Sequence, residues 1–220
     1  MDTKPDPNGR DIDLGLVLAT TNYDTIAENA LIRAGRLPDW GRPHVPAGMG
    51  ASTIQPEGLL AGMPRYVPII HLHGRAGWYR RKDPQMQVYE DDIRRHQAGF
   101  GVPIVMLPDP EKLYDTDDVI DGLWGQFREA LTRAKRVLVL GHSLNDRVLV
   151  QTLARDVHSQ VPIGVTVLPD PVNKNAPDAS AGHVVQMIHT QLPQATVVPL
   201  RFGPGMGQGV NPLKEWVDRT

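Results

Sequence analysis

The chain of 220 residues contains no cysteine. That absence excludes a disulfide framework, a Cys-ligated zinc ribbon and a thiol nucleophile. It suits a reducing compartment, so a cytoplasmic location is expected. Net charge is also nearly missing, with 23 Lys and Arg against 25 Asp and Glu. No global field therefore draws the chain onto nucleic acid or an anionic membrane. No apolar run approaches the roughly 18 residues that a spanning helix requires. The opening MDTKPDPNGRDID lacks the basic and apolar blocks of a signal peptide. The basic clusters Arg80-Arg81-Lys82 and Arg94-Arg95 have only Trp78 and Tyr79 for aromatic company. A nucleic-acid groove needs more stacking surface than that, and the clusters read as a solvated face.

What the chain has in excess is glycine, 21 residues, and proline, 20. Between these punctuating residues lie short apolar runs at Leu14–Ala19, Val67–Leu72, Val102–Leu107, Arg136–Leu140, Ile163–Leu168 and Thr196–Phe202. Most are apolar in succession rather than alternating, which predicts strands covered on both faces, as in parallel sheets. Helical spacing follows over Asp24–Ala34, stopped by Gly35, and over Asp118–Ala134, Asn145–Val157 and Gly182–Leu192. The second of these puts Val119, Leu123, Phe127, Ala130, Leu131 and Ala134 on one stripe. The order predicts an α/β fold: an open, mostly parallel Rossmann-like sheet with helices on both faces, built as one domain over residues 1–220. Two stretches break the pattern. Residues 36–66 hold five prolines and five glycines, and residues 75–101 are polar and rich in Arg and Asp. Both read as insertions that form a cap or small subdomain.

The polar motifs fall at the ends of the predicted strands. Thr20-Thr21-Asn22-Tyr23-Asp24 closes the first, His71-Leu72-His73-Gly74 the second, Gly141-His142-Ser143-Leu144-Asn145-Asp146 the fourth and Pro169-Asp170 the fifth. Open α/β sheets bind ligands outside the carboxyl ends of their strands, so four such clusters face one crevice in this reading. Each also has a plainer role. Asp24 serves equally as a cap for the helix that follows it, and Ser143 or Asn145 for the next; Gly141 suits a strand-to-helix turn. His71 and His73 alternate along a predicted strand, so they share a face and form an His-x-His pair able to grip Zn²⁺. His142, Asp24 and Asp146 are the groups available to complete such a shell. A metal-dependent hydrolase using His71 and His73 is therefore an alternative reading.

Thr-Thr-Asn-Tyr-Asp, then Leu-His-Gly, then Gly-His-Ser-Leu-Asn-Asp resemble, in order and strand context, the successive signatures of SIR2-like (sirtuin-related) domains. They resemble most the bacterial branch found in NAD-depleting anti-phage defence proteins. The resemblance implies NAD⁺ or ADP-ribose as ligand, with Asn22 and Asp24 beside the nicotinamide ribose, Thr21 as a further cofactor-binding residue and His73 as the catalytic histidine. It implies that Gly141 and Ser143 touch phosphate and ribose. Asp170 stands where these domains usually carry an asparagine near the adenine ribose, a departure from the pattern.

The reaction implied is cleavage of the nicotinamide–ribose bond through an oxocarbenium-like transition state. His73 would be the general base and Asn22 would hold the water or the ribose. Without cysteine the zinc ribbon of sirtuin deacylases cannot form, so no zinc is expected, and water is favoured over acyl-lysine as acceptor. The family's glycine-rich opening segment has no match before Thr20. Either it lies upstream of this chain, or a partner or oligomer supplies it, or the chain is a degenerate nucleotide-binding or assembly module. The one dense glycine run, residues 203–209, follows a predicted strand and is a candidate phosphate loop or a plain surface turn.

Overall fold

The computed structural model describes residues 4–5, 11–12, 15–39, 66–81, 88–90, 101–106, 117–173, 175–200 and 216. They divide into two compact units, residues 1–130 and 131–220. The glycine run at 203–209 and most of the 36–66 segment lie outside the described residues.

In the first unit a two-residue ribbon, β1 (Lys4–Pro5) against β2 (Asp11–Ile12), precedes the main elements. Strands β3 (Leu18–Thr20), β4 (Leu37–Asp39) and β5 (Tyr66–His71) form a parallel sheet in the order β3-β5-β4. Helix α1 (Ile26–Arg33) connects β3 to β4 and ends at Gly35, whose φ of 70° is the left-handed stop expected of a glycine. Leu31 of the helix packs with Val67 and Ile69 of β5, and Leu18 and Ala27 complete the cluster. Ile69 and Ile70 are fully buried, as a continuous apolar run in a central parallel strand should be.

A second sheet in this unit is antiparallel, in the order β7-β6-β8: β6 (Gly74–Arg81) lies between β7 (Val88–Glu90) and β8 (Gly101–Val105). Residues 75–101 thus carry most of the central strand of this sheet and all of β7, and the apolar run at Val102 pairs antiparallel, where a parallel partner was expected. Only the two residues Leu72–His73 separate β5 from β6, yet β6 pairs not with β5 but with β7 and β8, antiparallel to each. Helix α2 (Asp118–Arg133) begins on a cap by Asp117, whose Oδ1 accepts from the Val119 and Ile120 amides at 2.9 and 3.2 Å. Its buried stripe in this unit is Val119, Leu123 and Phe127 as expected, joined by Ile120 and Trp124. Arg80 of β6 bonds both Asp117 and Asp118, which ties the strand to the start of the helix.

The second unit contains a parallel sheet, β9 (Val137–Val139), β10 (Ile163–Val167) and β11 (Ala195–Pro199), with β10 in the centre. All five residues of β10 are buried. Gly164 is glycine because a Cβ there would meet the Trp216 ring at 2.9 Å. Helix α3 (Arg147–Asp156) connects β9 to β10, and α4 (Gly182–Gln191) connects β10 to β11. Helices alternating with parallel strands give the Rossmann-like α/β fold that the sequence predicts. No described helix is long and apolar enough to cross a membrane.

Candidate functional site

The register of the first sheet sets the geometry. Thr20 of β3 stands opposite His71 of β5, and the two strands run parallel. Both chains therefore leave the sheet at the same edge, and Thr21–Asp24 emerges beside Leu72–Gly74. The register thus brings these two of the four predicted strand-end clusters out at one sheet edge.

The backbone at Leu72 and His73 is fastened on three sides. The Leu72 amide donates to the Thr20 carbonyl at 2.9 Å, and the Met106 amide donates to the His73 carbonyl at 2.8 Å. The Trp124 indole N–H donates to the Leu72 carbonyl at 2.9 Å. Gly74 then takes a φ of 80°. A Cβ at this position would stand 2.1 Å from the Ile104 carbonyl oxygen, so only glycine lets the turn approach β8. His73 itself is 5% exposed, with its ring 6.3 Å from that of Tyr23. The Tyr23 hydroxyl donates to the Met106 carbonyl, and the Ala76 amide donates to the Tyr23 carbonyl at 2.9 Å. Burial pushes the Tyr23 phenol up, which keeps the hydroxyl protonated as that bond requires.

Asn22 and Asp24 are exposed on this loop. The Asn22 amide donates to Thr20 Oγ1 at 3.0 Å, and Asp24 Oδ1 accepts from the Ile26 amide at 3.0 Å. Asp24 therefore does the capping work at the start of α1, while Thr25, the formal cap position, makes no such bond. One carboxylate oxygen suffices for this, so capping and ligand contact are compatible. Thr21, just before Asn22, is half-buried.

Beneath the loop is a group that sequence reasoning missed. Glu28 of α1 is buried, and its Oε1 accepts from Arg75 Nε at 2.7 Å and lies 3.2 Å from His71 Nε2. The other ring nitrogen of His71, Nδ1, lies 3.3 Å from the Asn22 carbonyl oxygen. Burial works to raise the Glu28 carboxyl, but the hydrogen bonds from His71 and Arg75 overcome it and lower it to about 2. The signal in the sequence is a charge on the wrong face: Glu28 sits three residues before Leu31, on the stripe that α1 buries.

His71 is thus committed on both nitrogens, and His73 follows it in a turn, where strand alternation no longer applies. Among the described residues no three His, Asp or Glu side chains are grouped as a metal would require.

In the second unit, the turn after β9 holds Gly141 at φ 61° and Leu144 at φ 56°. Two left-handed residues in four, one of them a buried leucine, mark a turn held in shape by its surroundings. The Gly141 amide donates to Thr166 Oγ1 at 3.2 Å, and that hydroxyl donates to the Val139 carbonyl at 3.2 Å. His142 Nδ1 accepts from the Leu144 amide at 2.8 Å. Ser143 is exposed. Neither it nor Asn145 caps α3. Asp146 does, accepting from the Val148 and Leu149 amides at 3.1 and 3.2 Å. Asp170, after β10, turns its Oδ1 onto the amides of Val172 and Asn173 at 2.6 and 2.8 Å and so shapes its own loop.

Thr21, Asn22, Asp24 and His73 therefore belong to the strand-end group of the first unit, and Gly141, Ser143 and Asp170 to the strand ends of the second. A protein-family model described as a SIR2-like domain matches residues 16–180, well over half of the chain. No curated protein matches it.

Proposed function

This chain belongs to the SIR2-like domain family, and on that premise we propose that it hydrolyses the bond between nicotinamide and ribose in NAD⁺. SIR2-like domains bind NAD⁺. The observation that carries the finer reading is the register of β3 and β5, which brings the Asn22 loop and the His73 turn out at one sheet edge.

In this reading the scissile bond breaks as nicotinamide leaves neutral from a cationic ring, and positive charge develops on the ribose. His73 is the general base that takes the proton of the attacking water or of a ribose hydroxyl. Asn22 orients that water, and Asp24, with one carboxylate oxygen spent on the Ile26 amide, offers the other to the ribose. The family resemblance assigns Gly141 and Ser143 to phosphate and ribose and Asp170 to the adenine ribose; Asp170 Oδ1 already holds two amides, which leaves Oδ2 for such a contact. Water is the acceptor because a chain without cysteine cannot build the zinc ribbon that sirtuin deacylases carry beside the peptide groove. Depletion of NAD⁺ would be the biological output, as the resemblance to anti-phage defence proteins implies.

The test is direct. The chain incubated with NAD⁺ should release free nicotinamide and ADP-ribose, with no acceleration by an acyl-lysine peptide. Absence of release at high protein concentration, together with calorimetric binding of ADP-ribose, would assign the chain instead to nucleotide binding without turnover.

A further inference from the structure

Three ionisable side chains from three elements meet in the interior of the first unit. Glu28 comes from α1, His71 from the end of β5 and Arg75 from β6, and they are 3%, 0% and 7% exposed. Ionised groups are withdrawn from water only where their partners are close and well aimed. Arg75 Nε donates to Glu28 Oε1 at 2.7 Å, which makes Glu28 a carboxylate here. His71 then has Glu28 Oε1 at 3.2 Å from Nε2 and the Asn22 carbonyl oxygen at 3.3 Å from Nδ1. Neither oxygen carries a hydrogen. For both contacts to be hydrogen bonds, both ring nitrogens must donate.

We infer that His71 is held as an imidazolium with Glu28 as its counter-ion, and that this buried pair positions the Asn22 loop for the reaction. The catalytic half of this inference rests on the NAD⁺ hydrolysis proposed above. His71 acts through the Asn22 carbonyl and is a positioning residue. Its ring plane is fixed by the edge-on Trp78 ring, 5.5 Å away at 69°. Glu28 fixes which hydrogens the ring carries. The neutral tautomer that serves Glu28 would leave a bare Nδ1 facing a carbonyl, and the loop would lose its tether.

An apolar trio of the same shape would staple these elements without the cost of burying charge. Glu28 Oε2, moreover, is buried with no hydrogen-bond partner among the described residues. An arrangement that leaves an acceptor open in the interior is poorly explained by stability alone. It is explained if its product is the placement of Asn22.

The deciding measurement is the protonation of the His71 ring in the full chain at neutral pH, by nitrogen-15 correlation spectroscopy of the imidazole. Both ring nitrogens should carry hydrogens in the wild-type protein. In Glu28→Gln the ring should keep one, with the amide resonances of Asn22 and Tyr23 shifted. Nicotinamide release by that variant should fall about 10- to 100-fold in kcat, while KM for NAD⁺ holds within about threefold. A merely structural role would lower the melting temperature and leave kcat alone. A bare ring nitrogen on wild-type His71 overturns the inference, and so does a folded Glu28→Gln variant with wild-type kcat. Should the wild-type protein release no nicotinamide, the hydrolysis reading fails while the ring measurement still decides the state of His71.

Discussion

Gly74 lies so close to Ile104 on the neighbouring strand that a Cβ would stand 2.1 Å from the Ile104 carbonyl oxygen and 2.8 Å from its carbon. Backbone cannot swing aside as a side chain can. The φ of 80° adds a second penalty for any L-residue. Gly74→Ala should therefore destabilise the protein by about 3 kcal/mol or more and displace the adjoining His73. Gly35 offers the control, because its φ of 70° is similar but no described atom lies within 4 Å of its Cβ position. Gly35→Ala should cost only about 1 kcal/mol. Urea denaturation of the two variants separates strain from collision. Equal losses would show that the close approach to Ile104 is not real.

His73 and Tyr23 should separate chemistry from support. His73→Ala removes the proposed base and should lower nicotinamide release by about 10²- to 10⁴-fold. Tyr23→Phe keeps the ring beside His73 but loses the bond to the Met106 carbonyl, at about 1 kcal/mol of stability. Its kcat should fall far less than that of His73→Ala. Steady-state assays alongside thermal melts test both, and a fully active His73→Ala would remove the residue from the mechanism.

Acid should act on the fold through Glu28. Its carboxyl is lowered from 4.5 to about 2 in the folded state. As pH falls, the unfolded chain therefore takes up this proton before the folded one does. The Glu28 contribution is complete above the unfolded value and is lost as pH falls through the folded one. Asp118, lowered by its hydrogen bond from Arg80, acts in the same direction, so the informative quantity is a difference. Between pH 5 and pH 2 (about the span of the Glu28 shift), the wild-type protein should lose more stability than Glu28→Gln. Denaturant midpoints measured across that range check it. Parallel slopes for the two proteins would show that Glu28 carries no such linkage.

The parallel strands were legible because each is a short run of apolar residues in succession, and β10, buried along its whole length, is the clearest case. Strand β6 was not, although it is the centre of its sheet. Its sequence GRAGWYRR is rich in Arg and Gly, and its pairing with β8 is irregular between Gly74 and Tyr79. Gly77 within that span has a φ of 94°. A bulged strand loses its period of two, so Trp78 and Tyr79 are both buried although they are neighbours. The strand-end motifs were readable as candidates, and Asn22 and Asp24 follow β3 while His73 follows β5. The tethers were not readable. Glu28, His71 and Arg75 meet through side chains on three elements, and pair distances of that kind are written in the packing, with only the misplaced charge on α1 as a trace in the sequence.

Gly141 gives the sharpest test of the nucleotide reading in the second unit. Its φ of 61° favours glycine, yet no described atom lies within 4 Å of its Cβ position. Gly141→Ala therefore costs strain alone, about 1 kcal/mol, and the fold should survive. The added methyl would project, clear of the described residues, at the end of β9, where phosphate or ribose is proposed to lie. A backbone position that must let a ligand come close tolerates no Cβ, whatever the fold tolerates. KM for NAD⁺ and the dissociation constant for ADP-ribose should both rise about tenfold or more, with kcat at saturating NAD⁺ changing much less. Calorimetry with ADP-ribose reads the effect without turnover. Unchanged affinity in a folded Gly141→Ala protein would move the nucleotide away from this turn and leave its two left-handed residues as architecture.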